Sequence, residues 1–309
     1  MRVLFVSSGA SGGVISSLVK NQGESIRAKG VDIGYFLINS GGFKGYINNM
    51  FLLKGFLRKN EFDLVHAHYS FCGIIASFAT RKPLVVSLMG SDVMKNWIWL
   101  RIISILYRFS WKATIVKASW IKDKLNLPEA IVIPNGLNLS RFKPIDKINS
   151  CRNVGFDLFR KHIVFIGNPS SKAKNIKLIY AAYNLVKNEN TDLHIICNTD
   201  HELIPQILNS ADVLVLSSFW EGSPNVIKEA LACNIPIVTT PVGDVKELLE
   251  GVDGCYISSF DPVEFANYIN QALKFGKRTN GRKNVLELDE ERIADKIIEV
   301  YRKVLIDKP

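Results

Sequence analysis

Residues 211–249 read ADVLVLSSFWEGSPNVIKEALACNIPIVTTPVGDVKELL, and the alternation of apolar runs, polar loops and helix signals within them decides the fold. Val213-Leu214-Val215-Leu216 is short, branched at alternate positions and followed by Ser217-Ser218, the pattern of a strand buried on both faces of a parallel sheet. Gly222-Ser223-Pro224-Asn225 then supplies a flexible loop and a helix start. A helical pattern runs from Val226 to Cys233, Asn234 serves as its stop, and Ile235-Pro236-Ile237-Val238 opens the next strand. Such a unit has a chemical use. The free amides of a helix N-terminus attract anions, and in parallel sheets they gather at the carboxyl ends of the strands.

Two glutamates flank this helix start. Glu221 lies in the loop, where a carboxylate accepts hydrogen bonds from sugar hydroxyls. Glu229 lies in the first turns, where the helix dipole favours its charge and vicinal ribose hydroxyls could donate to both oxygens. Hydrogen bonds to a charged group contribute roughly 1.5–3 kcal/mol each, enough to orient a ligand. Taken alone, two carboxylates eight residues apart read better as a solvated loop residue and an ordinary surface helix residue.

The longer string separates these readings. Glu221-Gly222-Ser223-Pro224, Glu229-Ala230, Asn234-Ile235-Pro236-Ile237-Val238, Val242-Gly243 and Glu247 resemble the donor-binding segment of GT-B glycosyltransferase family four, the group 1 glycosyltransferases with an E-x7-E signature. The resemblance implies that Glu229 holds the nucleotide ribose and Glu221 contacts the donor sugar. The loop amides between them, in the stretch Gly222, Ser223, Pro224, Asn225 and Val226, would contact sugar and diphosphate. Asn234 stands where the family usually has glycine, and asparagine tolerates the same left-handed cap. Asp244 stands where a second glycine often follows Gly243.

The 309 residues suffice for two domains with separate cores, and 47% hydrophobic with 22% charged residues is an ordinary globular composition. Cys72, Cys151, Cys197, Cys233 and Cys255 are scattered without paired spacing, which predicts buried free thiols in a reducing, cytoplasmic compartment. No CxxC or His/Cys cluster points to a metal. MRVLFVSSGA reads as a first strand rather than a signal-peptide core, and no apolar run approaches the roughly 18 residues of a bilayer span. The net charge of +10 is lopsided: residues 1–144 hold 19 Lys and Arg against 7 Asp and Glu, while residues 145–309 hold 20 against 22. The first half therefore faces something acidic, such as a membrane surface, a phosphorylated lipid or nucleic acid.

Strand-like segments alternate with helical ones at residues 3–6, 33–37, 64–68, 84–88, 113–116 and 131–133, the rhythm of a doubly wound α/β domain. After Pro134-Asn135-Gly136 and a polar stretch, a second series begins at His162 and continues through residues 193–196 and 213–216. Two Rossmann-like halves follow, 1–140 and 141–289, with the binding site expected in the cleft between them. The resemblance implies a GT-B fold of class α/β, an acceptor-binding first domain, a donor-binding second domain, and a final helix, 290–309, crossing back to the first.

Other positions carry candidate roles. Gly12 and Gly13 follow the first strand and resemble the family's N-terminal glycine loop beside donor phosphates and acceptor; by themselves they mark a tight strand-to-helix turn. His66 and His68 share one strand face, where a histidine is often a hydrogen-bonded core residue. VHAHYSFCG nevertheless matches the family's stretch whose strand-end histidine reaches the donor sugar, so His68 takes that role, with Tyr69 and Ser70 beside it and His66 structural. Asp92, in Met89-Gly90-Ser91-Asp92, is a candidate for an acceptor hydroxyl or the N-cap of the next helix. IPNGLNLSRFKP resembles the family's interdomain crossing and places Asn135 at substrate. Gly167-Asn168 occupies the family's Gly-Arg position, so that asparagine removes a bidentate phosphate ligand. Lys174 keeps the family's second basic residue, and Lys172 either assists it or is a solvated lysine.

Helix 96–112, NWIWLRIISILYRFSWK, sets Arg101, Arg108 and Lys112 on one stripe with Trp97, Trp99 and Trp111 near its ends. Residues 50–59 have the same basic and aromatic character. Both suit either core helices with a basic edge or helices lying on an anionic membrane.

By resemblance, the chain is expected to be a retaining, metal-independent glycosyltransferase. It would move sugar from a nucleotide diphosphate sugar, a substrate rather than a cofactor, to the hydroxyl of a saccharide or lipid-linked saccharide in surface polysaccharide or glycolipid assembly. His68, Glu221 and Lys174 would lie at the reacting groups. No Asp-x-Asp occurs, against a metal-carboxylate scheme. The leaving phosphate would be held by Lys174 and helix amides and would itself take the acceptor's proton. The alternative is a non-catalytic GT-B module binding a nucleotide or partner transferase. Nucleic acid is not expected, because charge alone supports it.

Overall fold

The computed structural model describes residues 1–9, 13–39, 42–90, 92, 96–186 and 190–306, with the backbone alone for 42–44 and 46. The chain divides into two compact units, Met1–Gly136 with Glu290–Pro309, and Leu137–Asp289.

The first unit runs β1 (Arg2–Ser8), α1 (Ser17–Ala28), β2 (Asp32–Ile38), α2 (Gly42–Lys59), β3 (Leu64–His68), α3 (Ser70–Ala79), β4 (Leu84–Leu88), α4 (Trp97–Phe109), β5 (Ala113–Val116), α5 (Ser119–Leu125) and β6 (Ile131–Val132). Its strands form one parallel sheet in the order β2-β1-β3-β4-β5-β6. Successive side chains of a strand face opposite layers, and the core divides accordingly. Leu4, Val6, Val65, Ala67, Val86 and Leu88 pack on one face with residues of α2 to α5, whereas Val3, Phe5, Leu64 and Val85 pack on the other with α1.

The second unit runs α6 (Lys147–Val154), β7 (Lys161–Ile166), α7 (Ile176–Val186), β8 (Thr191–Ile196), α8 (Ile204–Ser210), β9 (Val213–Leu216), α9 (Asn225–Ala232), β10 (Ile237–Thr239), α10 (Val245–Leu248), β11 (Cys255–Ile257) and α11 (Pro262–Phe275). These strands form a second parallel sheet, ordered β11-β10-β9-β7-β8. The strand order reverses between β7 and β9, and between β1 and β3 in the first unit. At such a switch point the loops leaving the two strands go to opposite faces of the sheet and open a crevice at its carboxyl rim.

The last helix, α12 (Glu290–Ile306), belongs to the first unit. Ile293, Ala294, Ile297, Ile298, Tyr301 and Val304 recur at helical spacing and complete the core beside α1. The wholly buried Tyr301 hydroxyl lies 2.5 Å from His66 Nδ1, and Ser87 Oγ lies 2.8 Å from Nε2. Burial holds the His66 pKa well below its ordinary value, so a neutral imidazole ties α12 to the sheet. His66 is structural in this arrangement. Tyr301→Phe keeps the volume but leaves Nδ1 without that partner, and a loss of about 1–3 kcal/mol is expected in urea unfolding. Unchanged stability would show that the contact contributes nothing.

Candidate active site

At the second unit's switch point the loops after β7 and β9 meet. Lys174 ends a 3-10 turn, Lys172–Lys174, and Asn175 then turns the chain in left-handed conformation at φ 45°. Ser217, at the end of β9, holds this turn by donating Oγ–H to the carbonyls of Lys174 and Asn175 at 2.7 and 3.0 Å. Lys174 Nζ thereby reaches Glu221 Oε1 at 2.6 Å, and Ser218 Oγ donates to the same oxygen at 2.8 Å. Both charged side chains are about a fifth exposed, so the pair sits at a lip rather than in the core. Gly167 is needed beneath it: φ is +153°, and a Cβ there would lie 3.4 Å from Lys174 Cε.

The loop 221–224 rests on the turn after β10. Gly243 has φ +59°, and a Cβ on it would come within 3.0 Å of the Gly222 carbonyl oxygen and 3.3 Å of that of Glu221. Next to it, Asp244 Oδ2 accepts a hydrogen bond from Ser223 Oγ at 2.6 Å. Pro224 caps α9, which begins at Asn225 and presents its first amides beside this loop. Glu229, one turn further, is largely buried, with Oε1 3.2 Å from His201 Nε2. Asn234, at φ 56°, supplies the left-handed cap, and its Oδ1 accepts from the Arg282 amide.

The remaining candidates of this unit lie at the rim. Asn168 is exposed, its Oδ1 accepting the Ser170 amide in a local turn, and Lys172 is exposed on the 3-10 turn. Val226 is half-buried on α9. Thus Lys174, Glu221, Gly167 and Gly222–Asn225 come together within the unit, with Glu229 on the helix they lead into.

In the first unit, His68 ends β3 beside the other switch point. It is wholly buried, its ring 4.6 Å from Phe5 and 4.3 Å from His66, and neither ring nitrogen has a hydrogen-bond partner among the described residues. Burial first, and then the nearby Lys117, push its pKa down to about 3, so it is neutral above about pH 4. Gly13 is exposed at φ +74°, and Gly12 falls outside the described residues. Asn135 is buried at the end of the unit. Asp92 is not the cap of the helix that follows. Asn96 caps α4 through the Trp99 amide, while Asp92, 2% exposed, accepts from the Met89 and Ser70 amides and so caps α3. Each oxygen of Asp92 thus accepts one backbone amide, one just after β4 and one at the start of α3.

The α4 tryptophans also depart from the sequence reading. Trp99 stacks on Phe71 and donates to Ser70 Oγ, and Trp111 is buried and donates to Ser77 Oγ, so both serve the core. Only Trp97 of the three is exposed, on a face with Ile98, Arg101, Ile105, Arg108 and Phe109.

Sequence reasoning passed over Lys228. It lies 1% exposed on α9, and its Nζ has no hydrogen-bond partner among the described residues. Its position between Ile227 and Glu229 reads as a helix edge; only the surrounding run of apolar residues hints at burial. His162, Asp192 and His194 also cluster, within 4.8 Å of one another, at the opposite end of β7 and β8. Several of their polar atoms are engaged: Asp192 Oδ2 takes Arg160, His162 Nε2 donates to the Asp157 carbonyl, and the two rings share a hydrogen bond at 3.0 Å.

The comparisons agree with this architecture. Two parallel-sheet units of this kind match the GT-B fold. A family profile described as "Glycosyltransferase Family 4" matches residues 19–141, and one described as "Glycosyl transferases group 1" matches residues 160–274. The chain belongs to these group 1, family 4 glycosyltransferases. It is 26% identical to the Escherichia coli UDP-Gal:alpha-D-GlcNAc-diphosphoundecaprenol alpha-1,3-galactosyltransferase, over 82% of this chain and 78% of that protein. In fold it is similar to sucrose-phosphate synthase from Thermosynechococcus elongatus, with TM-score 0.86 and 16% identity over 100% of both chains. It is also similar to Anabaena HepE, whose structure contains UDP and glucose, with TM-score 0.79 and 17% identity over 98% of this chain and 100% of that one.

Lys228 gives a pH signature. Burial lowers its pKa from 10.5 to about 8, opposed by Asp244 and Glu229. Between those values the unfolded chain holds a proton that the folded chain lacks, so stability rises with pH across that window. In urea unfolding, the stability of the wild type minus that of Lys228→Met should climb from about pH 8 upward, by at most roughly 3 kcal/mol in all. A flat difference contradicts the buried ammonium.

Proposed function

We propose that this enzyme transfers a sugar from a nucleoside diphosphate sugar to an acceptor hydroxyl with retention of configuration and without a metal ion. The observation that carries the reading is the meeting of Lys174 and Glu221 at the switch point, beside the start of α9 and with Glu229 beneath. Lys174 supplies a cation for the diphosphate, and the first α9 amides supply donors whose dipole favours negative charge. Glu221 is the acceptor for donor-sugar hydroxyls. Glu229 gives Oε1 to His201 and offers Oε2 to the ribose. Charge on the leaving diphosphate grows as the glycosidic bond breaks, so a cation and amides fixed in advance stabilise the transition state more than the ground state. The departing phosphate oxygen takes the acceptor's proton as the new bond forms on the same face. His68, uncharged, is assigned a hydrogen-bonding role toward the sugar rather than acid catalysis.

For the acceptor we propose a lipid-linked saccharide, as the name of the Escherichia coli relative describes for that protein. No described helix is long and apolar enough to cross a membrane. The first unit instead presents Phe51 and Leu52 on α2, Phe78 on α3, and Trp97, Ile98, Ile105 and Phe109 on α4, all exposed, with Lys54, Arg58, Arg101 and Arg108 interspersed. Apolar groups among cations suit an anionic bilayer surface.

In calorimetry with UDP, GDP or ADP, Glu229→Ala and Lys174→Ala should each weaken the nucleotide that binds by about 10- to 100-fold. His68→Ala should lower kcat more than donor affinity. Unchanged nucleotide affinity in both of the first two variants rules out the assigned site, and a nucleotide complex with no turnover on any acceptor pool favours a non-catalytic module. In sedimentation with vesicles, the protein should bind anionic phospholipid, less so as salt rises, and Trp97→Ser with Phe109→Ser should abolish binding. Equal binding of that double variant removes the membrane proposal.

A further inference from the structure

The floor of the candidate donor loop contains two buried ionisable groups that the reading above does not use. Asp244 stands where, in the family the segment resembles, a second glycine often follows Gly243. Its Oδ2 holds Ser223 Oγ at 2.6 Å, while its buried Oδ1 has no hydrogen-bond partner among the described residues. Ser223 is the middle of the stretch Gly222-Ser223-Pro224 that leads into α9, and Gly243 lies against the carbonyls of Glu221 and Gly222. The turn after β10 therefore grips the loop twice, by backbone contact at Gly243 and by a carboxylate at Asp244.

Lys228 lies on α9 behind the same loop and is nine-tenths or more buried. The charged groups that act on it are Asp244, from the turn after β10, and Glu229, from its own helix. Glu247 of α10 acts in turn on Asp244. Gly281–Leu288, which packs on α9, contributes Arg282, whose guanidinium is taken by the carbonyls of Phe142, Leu139 and Ala232. Lys228 thus brings a buried positive charge on which Asp244 and Glu229 act. Burial alone would favour protonated Asp244, and the ammonium opposes this.

We propose that Asp244 and Lys228 form a positioning pair for the donor: Asp244 fixes the loop amides through Ser223, and Lys228, buried on the helix into which that loop leads, adds positive charge behind it. The proposal rests on the donor site argued above. Neither residue touches the reacting atoms; both act through the loop. Two features make the pair more than packing. Asp244 ties a residue of the loop rather than capping its own helix, since it makes no side-chain cap bond to α10. Lys228 Nζ is buried without a hydrogen-bond partner among the described residues, as is Asp244 Oδ1. Loss of the lysine proton leaves the carboxylates unbalanced and makes the rim more negative, which opposes a dianionic ligand. Donor affinity should therefore have an alkaline limb, even though the same deprotonation favours the folded state.

The test is calorimetry with UDP, GDP and ADP from about pH 7 to pH 9.5, on wild type, Asp244→Gly, Asp244→Asn, Lys228→Met and Glu229→Ala. The wild type should bind one nucleotide, more weakly as pH rises through about 8. Asp244→Gly should weaken binding about tenfold. Asp244→Asn, which keeps an acceptor for Ser223, should weaken it less and guards against a folding defect in the glycine variant. Lys228→Met should start weaker and lose the pH dependence, and kcat at saturating donor should change less than KM throughout. If the wild type binds and Glu229→Ala does not, but Asp244→Gly and Lys228→Met match the wild type at every pH, the pair has no positioning role and the donor site stands. If the affinity losses track thermal stability and the alkaline limb persists in Lys228→Met, the residues are structural only. If the wild type binds none of the three nucleotides and no variant restores binding, both readings fall.

Discussion

Lys174 reaches Glu221 because β7 and β9 are neighbours although β8 lies between them in sequence. In a parallel sheet wound outward from its first strand, the loops after the two central strands diverge to opposite faces, and the crevice they leave is where backbone amides and side chains converge. The rest of the second unit serves that convergence. Ser217 pins the turn that carries Lys174, Gly167 lets the lysine lie close, and Gly243 lets the loop before α9 settle on the turn after β10. Each contact is local and of ordinary strength. Together they fix a cation, an acidic side chain and a helix start within one rim before any ligand arrives, the condition under which electrostatic stabilisation is most effective.

Buried polar groups here are of two kinds. In the first, His66 is satisfied on both ring nitrogens and ties α12 to the sheet, and Asp92 accepts two amides. In the second, both ring nitrogens of His68 in the first unit, and Lys228 Nζ and one oxygen of Asp244 in the second unit, are buried with no such bonds among the described residues. A charged group in that state costs stability. Its retention beneath the loop, rather than an apolar side chain of similar size, is the kind of local conflict expected where binding rather than folding sets the residue.

Much of this was legible in the sequence. The runs at 64–68, 84–88, 113–116 and 213–216 coincide with β3, β4, β5 and β9, since fully buried parallel strands are apolar throughout and bounded by polar residues. The helix start at Asn225 and the left-handed Asn234 follow from residue chemistry alone. What could not be read depends on distant partners. Trp99 and Trp111 face inward because Phe71, Ser70 and Ser77 of α3 meet them there, and a helix apolar on several sides does not announce which face is buried. Asp92 caps a helix that begins 22 residues earlier. Lys228 is buried on a helix against which the distant segment Gly281–Leu288 packs. Short-range signals set elements; long-range packing decided these side chains.

The central claim is that the carboxyl rim formed by the β7 and β9 loops grips a nucleoside diphosphate. A crystal structure of the protein with the nucleoside diphosphate that it binds most tightly tests this most directly. The account predicts the diphosphate against Lys174 and the amides at the start of α9, with the ribose hydroxyls on Glu229. A nucleotide bound elsewhere, with Glu221 and Glu229 facing solvent, would contradict it.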